Sequence, residues 1–187
     1  MSSTQKFFTI ILTLIILVLI GLKQTDNDDV FSKLDNTQPT YQSQQMVTLA
    51  YEPTGLLGYQ LISEDVKHFT ETKETWFTKP FMTVYGKSAE PIWTVKADQA
   101  KLTQDRQLYL YDNIQIDNLD ANPQIKQINA QDAYINLITQ DITSNNEVTL
   151  KGPFFSSTGL KMKGNLRDKT AELAENVATT YTPQSQK

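Results

Sequence analysis

The sequence contains no cysteine and a single histidine, His68, in 187 residues. These absences exclude a disulfide framework, a thiol nucleophile, a lipoprotein signal and a Cys/His metal cage. The net charge is −4 and the basic residues are scattered, which gives no indication of a nucleic-acid partner. There is also no Gly-x-Ser-x-Gly elbow and no phosphate-binding glycine loop. We therefore expect a protein that is not an enzyme and has no catalytic residues, metal or cofactor.

One long apolar run stands near the N-terminus. Phe7–Leu22 has 16 residues, none of them charged, and is dominated by Ile and Leu. As a helix it reaches about 24 Å, somewhat short of a hydrocarbon core roughly 30 Å thick, and Lys6 and Lys23 extend the span by snorkelling. A cleaved signal peptide is the alternative, but the run is long for one and no small-residue cleavage site follows. The pattern predicts a transmembrane signal anchor with its flanks over residues 1–24, with a cytoplasmic N-terminus and a periplasmic C-terminal domain.

The remainder of the chain reads as a stalk followed by strands. Residues 25–45 are rich in Asp, Asn, Gln, Ser and Thr and predict a flexible periplasmic stalk. From residue 46 onward apolar and polar residues alternate, as in half-buried strands. The alternation is clearest at Trp93–Ala97, Ile114–Ile116, Val148–Leu150 and Leu160–Gly164. We predict an all-β domain over residues 46–182 and a disordered tail over 183–187.

A weak internal repeat runs through this domain. Similar three-position frames begin at Tyr59, Trp93, Lys126 and Leu160, which are 34, 33 and 34 positions apart. An asparagine precedes an aliphatic residue toward the end of the units, at Asn113, Asn146 and Asn176. Repeats of this length favour a stack in which each unit packs on its neighbours, although strands of an ordinary meander recur at similar intervals.

A stack of short strands ends in two edges. The unpaired N–H and C=O groups of such edges join neighbouring proteins by strand addition. Aromatic and aliphatic residues in the strands are numerous enough to line an apolar cavity, and plain core packing is the alternative for each of them.

Several stretches resemble the LptC family. They are Trp93–Thr103 followed by Leu108–Tyr111, Ile135–Ser144 and Gly159–Arg167. The resemblance covers nearly the whole chain and implies a twisted, boat-like β-jellyroll of antiparallel strands after one transmembrane helix. It implies that the protein binds lipopolysaccharide in an apolar groove. It also implies that the lipid is passed from an inner-membrane ABC transporter, with subunits LptF and LptG and the ATPase LptB, to the periplasmic bridge protein LptA.

The resemblance also suggests site residues. It places the transporter-facing edge at about residues 57–65 and the LptA-facing edge at about 170–181. The expected groove residues are Tyr59, Phe77, Phe81, Trp93, Leu160, Met162, Ala171 and Tyr181. The expected partner-binding edge residues are Tyr59, Leu61, Gly152, Val177 and Tyr181. Gly152 matches a family glycine at a passage from strand to turn, where a side chain would obstruct packing of the C-terminal edge.

Two other functions stay open from the sequence. A membrane-tethered structural or regulatory adaptor of the transporter would use the same anchor and edges without holding lipid. A periplasmic hydrolase would need convergent catalytic groups, yet the adjacent Glu64 and Asp65 point to opposite faces of a strand. Since no nucleotide-binding motif is present, a lipid-carrying protein of this sequence would be a passive conduit.

Overall fold

Eleven strands and no helix make up residues 38–182, the part of the chain that the computed structural model describes. The strands are β1 (Tyr41–Tyr51), β2 (Leu57–Phe69), β3 (Glu74–Thr78), β4 (Phe81–Tyr85), β5 (Pro91–Lys96), β6 (Gln99–Leu102), β7 (Gln107–Asn118), β8 (Gln127–Asn136), β9 (Asp141–Lys151), β10 (Phe155–Asn165) and β11 (Thr170–Tyr181). The all-β prediction is confirmed for these residues. None of these residues forms a helix long and apolar enough to cross a membrane. The predicted anchor, most of the stalk and the tail lie outside the described residues.

Every strand pairing in the sheet is antiparallel. β1 pairs with β2, which pairs along its first part with β4 and along its second part with β3. On its other side β4 pairs with β5, and β3 pairs with β6. Both β5 and β6 then pair with β7. β8, β9, β10 and β11 follow in order. The sheet therefore has a β4–β5 half and a β3–β6 half, and the long strands cross from one to the other.

A line of bulges runs across the long strands between these halves. β7, β9 and β11 each carry one residue more than the strand they pair with, at Asp112–Asn113, Asn145–Asn146 and Asn176–Val177. Asp112, Asn113 and Asn176 have positive φ angles of 59°, 49° and 53°, which Asn and Asp tolerate better than most residues. Because bulges bend strands, this bend line folds one sheet into two halves that face each other.

The bend line accounts for part of the sequence repeat. The asparagines of the repeat fall at the bulges of β7, β9 and β11, so one unit corresponds to one strand out and one strand back. The fourth frame, which begins at Leu160, does not occupy the equivalent position in the sheet. Val148 pairs with both Ala130 and Gly159, so Gly159 rather than Gly164 occupies the position of Ala130. The reason is that β9 and β10 are joined by residues 152–154, whereas β7 and β8 are joined by the longer loop 119–126.

The apolar core lies between the two halves. Rows of side chains paired from strand to strand face one another across it, and each is at most 5% exposed. The rows are Leu61, Met82, Val95, Ile116, Ile128 and Leu150 in the β4–β5 half, and Val66, Phe77, Ala100, Leu110, Ala133, Ser144 and Met162 in the β3–β6 half. The predicted alternations at Trp93–Ala97, Ile114–Ile116 and Val148–Leu150 are confirmed, because their apolar members are all buried.

Strand β1 begins earlier than the sequence pattern indicated. Residues 41–45, which we assigned to the stalk, form the first part of β1, and residues 41–44 pair with the second part of β2. Their side chains are mostly exposed, so no apolar alternation marks this part of the strand. Backbone pairing, together with a 3.1 Å hydrogen bond from Nε2 of Gln42 to the Asp65 carboxylate, places these residues in the domain.

Asp98 lies between β5 and β6 and makes hydrogen bonds along the bend line. Its carboxylate accepts hydrogen bonds from the Lys79 ammonium group and, at 2.5 Å, from Nδ2 of Asn113. The Lys79 N–H donates to the Asp98 carbonyl at 2.9 Å, and the Asp98 N–H donates to the Asp112 carbonyl at 3.0 Å. The hydrogen bond from Lys79, followed by that from Asn113, holds the pKa of the Asp98 carboxyl below its ordinary value. Asp98 therefore connects the β3–β4 junction and the β5–β6 junction to the bulge of β7.

Because the folded-state pKa of Asp98 is lowered, its contribution to stability is present above the unfolded pKa and is lost as the pH falls through the folded value. We expect Asp98→Asn to lower the free energy of unfolding at neutral pH and to differ less from the parent chain in acid. Urea unfolding of the full chain at neutral and acidic pH measures this. The control is Glu147→Gln, which removes an exposed carboxylate that makes no ion pair within residues 38–182. Equal effects of both variants at every pH would contradict the expectation.

Candidate functional site

The interior between the two halves is the first part of the candidate site. Three of the expected groove residues, Phe77, Trp93 and Met162, lie in the core with exposures of 4%, 1% and 1%. Exposures this low mean that water touches these side chains neither from outside nor from an internal void. Nε1 of Trp93, in the β4–β5 half, donates a buried hydrogen bond of 2.7 Å to the carbonyl of Leu166, at the end of the β3–β6 half. In this conformation a ligand reaches the three side chains only if the halves separate.

Two other expected groove residues lie at the margin of the core. Tyr59 and Ala171 are partly buried and pack against it. Tyr59 lies in β2 between Ala50 and Val84 of the neighbouring strands, and burial raises the pKa of its phenol. Ala171 lies on β11 opposite Gly164. Both positions are accessible in part without any opening of the sheet.

Phe81 and Leu160 lie on the outer face rather than the inner one. Phe81 alternates with the buried Met82 and lies beneath the Lys96 ammonium, 5.6 Å from its ring centre. Leu160 pairs with the exposed Glu147 and Glu175. The sequence pattern put Leu160 on the same face as Met162. In the structure Lys161 lies opposite the bulge of β9 at Asn145–Asn146 and has a φ of 56°, which breaks the alternation along β10.

The two edges of the sheet form the second part of the candidate site. Tyr59 and Leu61 were expected at the transporter-facing edge, yet they lie in β2, which is paired on both sides. Since β1 covers β2 and has no other partner within residues 38–182, the edge expected at residues 57–65 is formed by β1 instead.

The other edge is β11, which spans Thr170–Tyr181 and pairs with β10 alone in the described part of the chain. Val177 and Tyr181, the two residues expected to bind a partner there, are 50% and 76% exposed. Tyr181 pairs with Phe155 at the beginning of β10. The free side of β11 therefore offers both unpaired backbone groups and apolar side chains to another strand.

Gly152 lies next to this edge at the end of β9. Its N–H donates to the carbonyl of Phe155 at 2.9 Å. A Cβ atom at this position would lie 2.1 Å from Cε1 of Phe155 and 2.8 Å from the carbonyl oxygen of Gln124. Glycine is thus required by the close approach of a ring and a backbone carbonyl, and the ring belongs to the residue that pairs with Tyr181.

Within residues 38–182, no three His, Asp or Glu side chains approach one another as metal ligands. His68 shares a hydrogen bond of 2.9 Å with the Thr75 hydroxyl on the neighbouring strand.

Comparison with known proteins shows the family. A family model described as "Lipopolysaccharide-assembly, LptC-related" matches residues 8–182. The chain is 45% identical to "Lipopolysaccharide export system protein LptC" of Escherichia coli strain K12 over 182 residues, which cover 97% of this chain and 95% of that protein. The protein of that name in Shigella flexneri matches to the same extent. The one in Haemophilus influenzae is 35% identical over 179 residues, covering 87% and 85% of the two chains.

These matches, together with an antiparallel β-sheet folded over an apolar interior, identify a lipopolysaccharide-assembly protein. The chain belongs to the LptC family.

Proposed function

We propose that this protein holds the acyl part of lipopolysaccharide between its two half-sheets and passes the lipid from an inner-membrane ABC transporter, LptB with LptF and LptG, to LptA. The observation that carries the proposal is an apolar interior in a sheet whose outer strands, β1 and β11, are each paired on one side only within residues 38–182, in a chain of the LptC family. In this proposal β1 meets the transporter and β11 meets LptA by strand addition. The apolar run Phe7–Leu22 holds the chain in the inner membrane, with its N-terminus in the cytoplasm.

The physical reason for such a conduit is the cost of exposing acyl chains. Each CH₂ group contributes about 0.8 kcal/mol, so moving a 14-carbon chain into water costs about 10 kcal/mol. A surface that stays apolar from one protein to the next removes this barrier without supplying work. The protein carries no nucleotide motif, so the work comes from the transporter.

The closed interior requires that the half-sheets move apart to admit lipid. The bend line supports this, since bulges at Asp112–Asn113 and Asn176–Val177 interrupt the strand ladders between the halves. Opening along this line exchanges core contacts for contacts with acyl chains, and both are apolar.

A second function is favoured by one specific observation. Because Phe77, Trp93 and Met162 are almost fully buried, the chain can also act as a tethered adaptor that joins two partners through β1 and β11 and holds no lipid. Phe77→Arg does not separate the two functions, because an unpaired charge in this core disrupts folding.

Photo-crosslinking separates them. We expect a photo-reactive amino acid at Tyr181 or Tyr59, both accessible and adjacent to the interior, to label lipopolysaccharide in cells with an active transporter. The matched control is Tyr109, which pairs with Tyr134 on the outer face, with ring centres 5.2 Å apart. Labelling of protein alone at Tyr181 and Tyr59 would favour the adaptor. Equal lipid labelling at Tyr109 would show contact with the membrane surface rather than with the interior.

A further inference from the structure

The sequence contains only two arginines, Arg106 and Arg167, and both line the same cavity. They are 61 positions apart in the chain. The cavity has a volume of about 250 Å³, and no lysine of residues 38–182 lines it. Of the basic residues in the described part of the chain, therefore, the two arginines alone line this cavity.

Backbone hydrogen bonds hold the two arginines in position. Arg106 lies in the β6–β7 turn, and its carbonyl accepts a 3.0 Å hydrogen bond from the N–H of Leu137 in the β8–β9 turn. The Gln140 carbonyl, in that second turn, accepts a 2.9 Å hydrogen bond from the N–H of Leu166 in the β10–β11 turn. Three neighbouring turns thus stand side by side and present Arg106, Gln140 and Arg167 to the cavity. The opposite wall is formed by the β1–β2 connection and Tyr59.

The polar groups of the cavity are poorly satisfied by the protein itself. The Gln140 side chain is 8% exposed, and its Oε1 atom is buried without a hydrogen-bond partner among residues 38–182. A buried acceptor of this kind is destabilising unless a ligand or water supplies a donor. Arg167 has one ion-pair partner, Glu52, at 3.6 Å, and both side chains are 41% exposed. Arg106 makes no ion pair within the described part of the chain.

The rest of the lining is apolar. Leu137, Ile138 and Pro53 contribute to it, and Ile138 is 59% exposed. The Tyr59 phenol lies within the field of Arg106, which opposes the rise in its pKa caused by burial. Guanidinium groups beside apolar walls suit a ligand that carries an anion and hydrocarbon together, and the planar fork of arginine binds phosphate through two parallel hydrogen bonds.

We propose that this cavity is a subsite for the phosphorylated sugar of an acylated lipid, with Arg106 and Arg167 binding the phosphate and Gln140 accepting a hydrogen bond from an amide or hydroxyl of the same ligand. The subsite rests on the proposed function and specifies which part of the lipid is recognised. It lies where the margins of the two half-sheets meet, beside Tyr59 and Leu166. The head group is therefore held at the rim while the acyl chains lie toward the interior.

The test compares lipid A with the same lipid after enzymatic removal of its phosphates, bound to the full chain in neutral detergent. We expect the parent protein to bind the phosphorylated form about tenfold more tightly. We expect Arg106→Gln combined with Arg167→Gln to weaken binding of the phosphorylated lipid until this preference is lost. Lys126→Gln combined with Lys163→Gln is the control, because it removes the same two charges from exposed sites outside the cavity.

A substitution that is expected to tighten binding, opposite to the arginine substitutions, strengthens the test. Glu52→Gln frees Arg167 from its carboxylate, and we expect it to tighten binding of the phosphorylated lipid about two- to fivefold. A general loss of folding cannot produce this result. Millimolar inorganic phosphate should not displace the lipid, and displacement would show a site for the free anion instead.

The possible failures are distinguishable. If the parent protein binds neither lipid, the proposed function fails together with the subsite. If it binds both lipids equally, or if the double arginine variant keeps the preference for phosphate, the subsite alone is overturned.

Discussion

Replacing Trp93 with alanine is expected to lower the free energy of unfolding by about 3–5 kcal/mol, the usual loss when a large ring is removed from a core. The ring is 1% exposed, so its removal leaves a cavity among well-packed side chains. The substitution also leaves the Leu166 carbonyl without its 2.7 Å hydrogen bond from Nε1. Urea unfolding of the full chain, followed by circular dichroism, measures the loss.

The matched control is the second tryptophan. Trp76 stacks on Tyr111 on the outer face, with ring centres 5.9 Å apart, and is only partly buried. Trp76→Ala should cost about 1 kcal/mol, the size of an aromatic pair at a surface. Trp93→Phe should fall between the two, since it keeps most of the ring and loses the N–H donor. Equal losses at Trp76 and Trp93 would show that the interior is not closed at Trp93.

Trp93 also bears on the opening of the sheet. In Trp93→Phe the two halves lose the hydrogen bond that joins them at Leu166 while most of the packing remains. Faster hydrogen exchange in β10 and β11 of this variant than in Trp76→Phe would support separation of the halves at this point.

Replacing Gly152 with arginine is expected to reduce recovery of LptA in a pull-down by about tenfold or more, while the domain stays folded. A Cβ atom lies 2.1 Å from Phe155 and 2.8 Å from the Gln124 carbonyl, and overpacking of this kind costs about 1–3 kcal/mol. Phe155 can relieve the contact only by moving, and it pairs with Tyr181 on the free edge strand. The displacement therefore falls on the surface proposed to receive LptA.

Two variants separate geometry from charge in this experiment. Gly152→Ala introduces the steric conflict without the charge, and we expect a smaller loss in the same direction. Gln124→Arg adds the same charge at an exposed neighbouring position and should leave LptA recovery unchanged. If Gly152→Arg folds and recovers LptA normally, β11 does not form the contact.

The sequence determined the class of fold and much of its core. Strict alternation at Trp93–Ala97 and Val148–Leu150 places apolar side chains on one face because the pleat of a strand has a period of two residues. It also marked the bulges indirectly, since Asn113 and Asn176 recur where the backbone takes a positive φ. Gly152 was identifiable through its family motif. The sequence did not show that the Phe155 ring is what requires a glycine there.

Strand pairing in the tertiary structure decided which strands form the edges and where the site residues lie. The sequence does not show which strand lies at an edge. The edge is β1 rather than residues 57–65 of β2, because the polar residues 41–44 pair with β2 without any apolar alternation to mark them. The positive φ of Lys161, opposite the bulge of β9, separated Leu160 from Met162, because it interrupts the alternation of faces along β10. The two arginines came together only because three turns, distant in the chain, are joined by backbone hydrogen bonds. Local periodicity determines what each strand buries, whereas contacts between distant strands determine where the openings and the polar subsite lie.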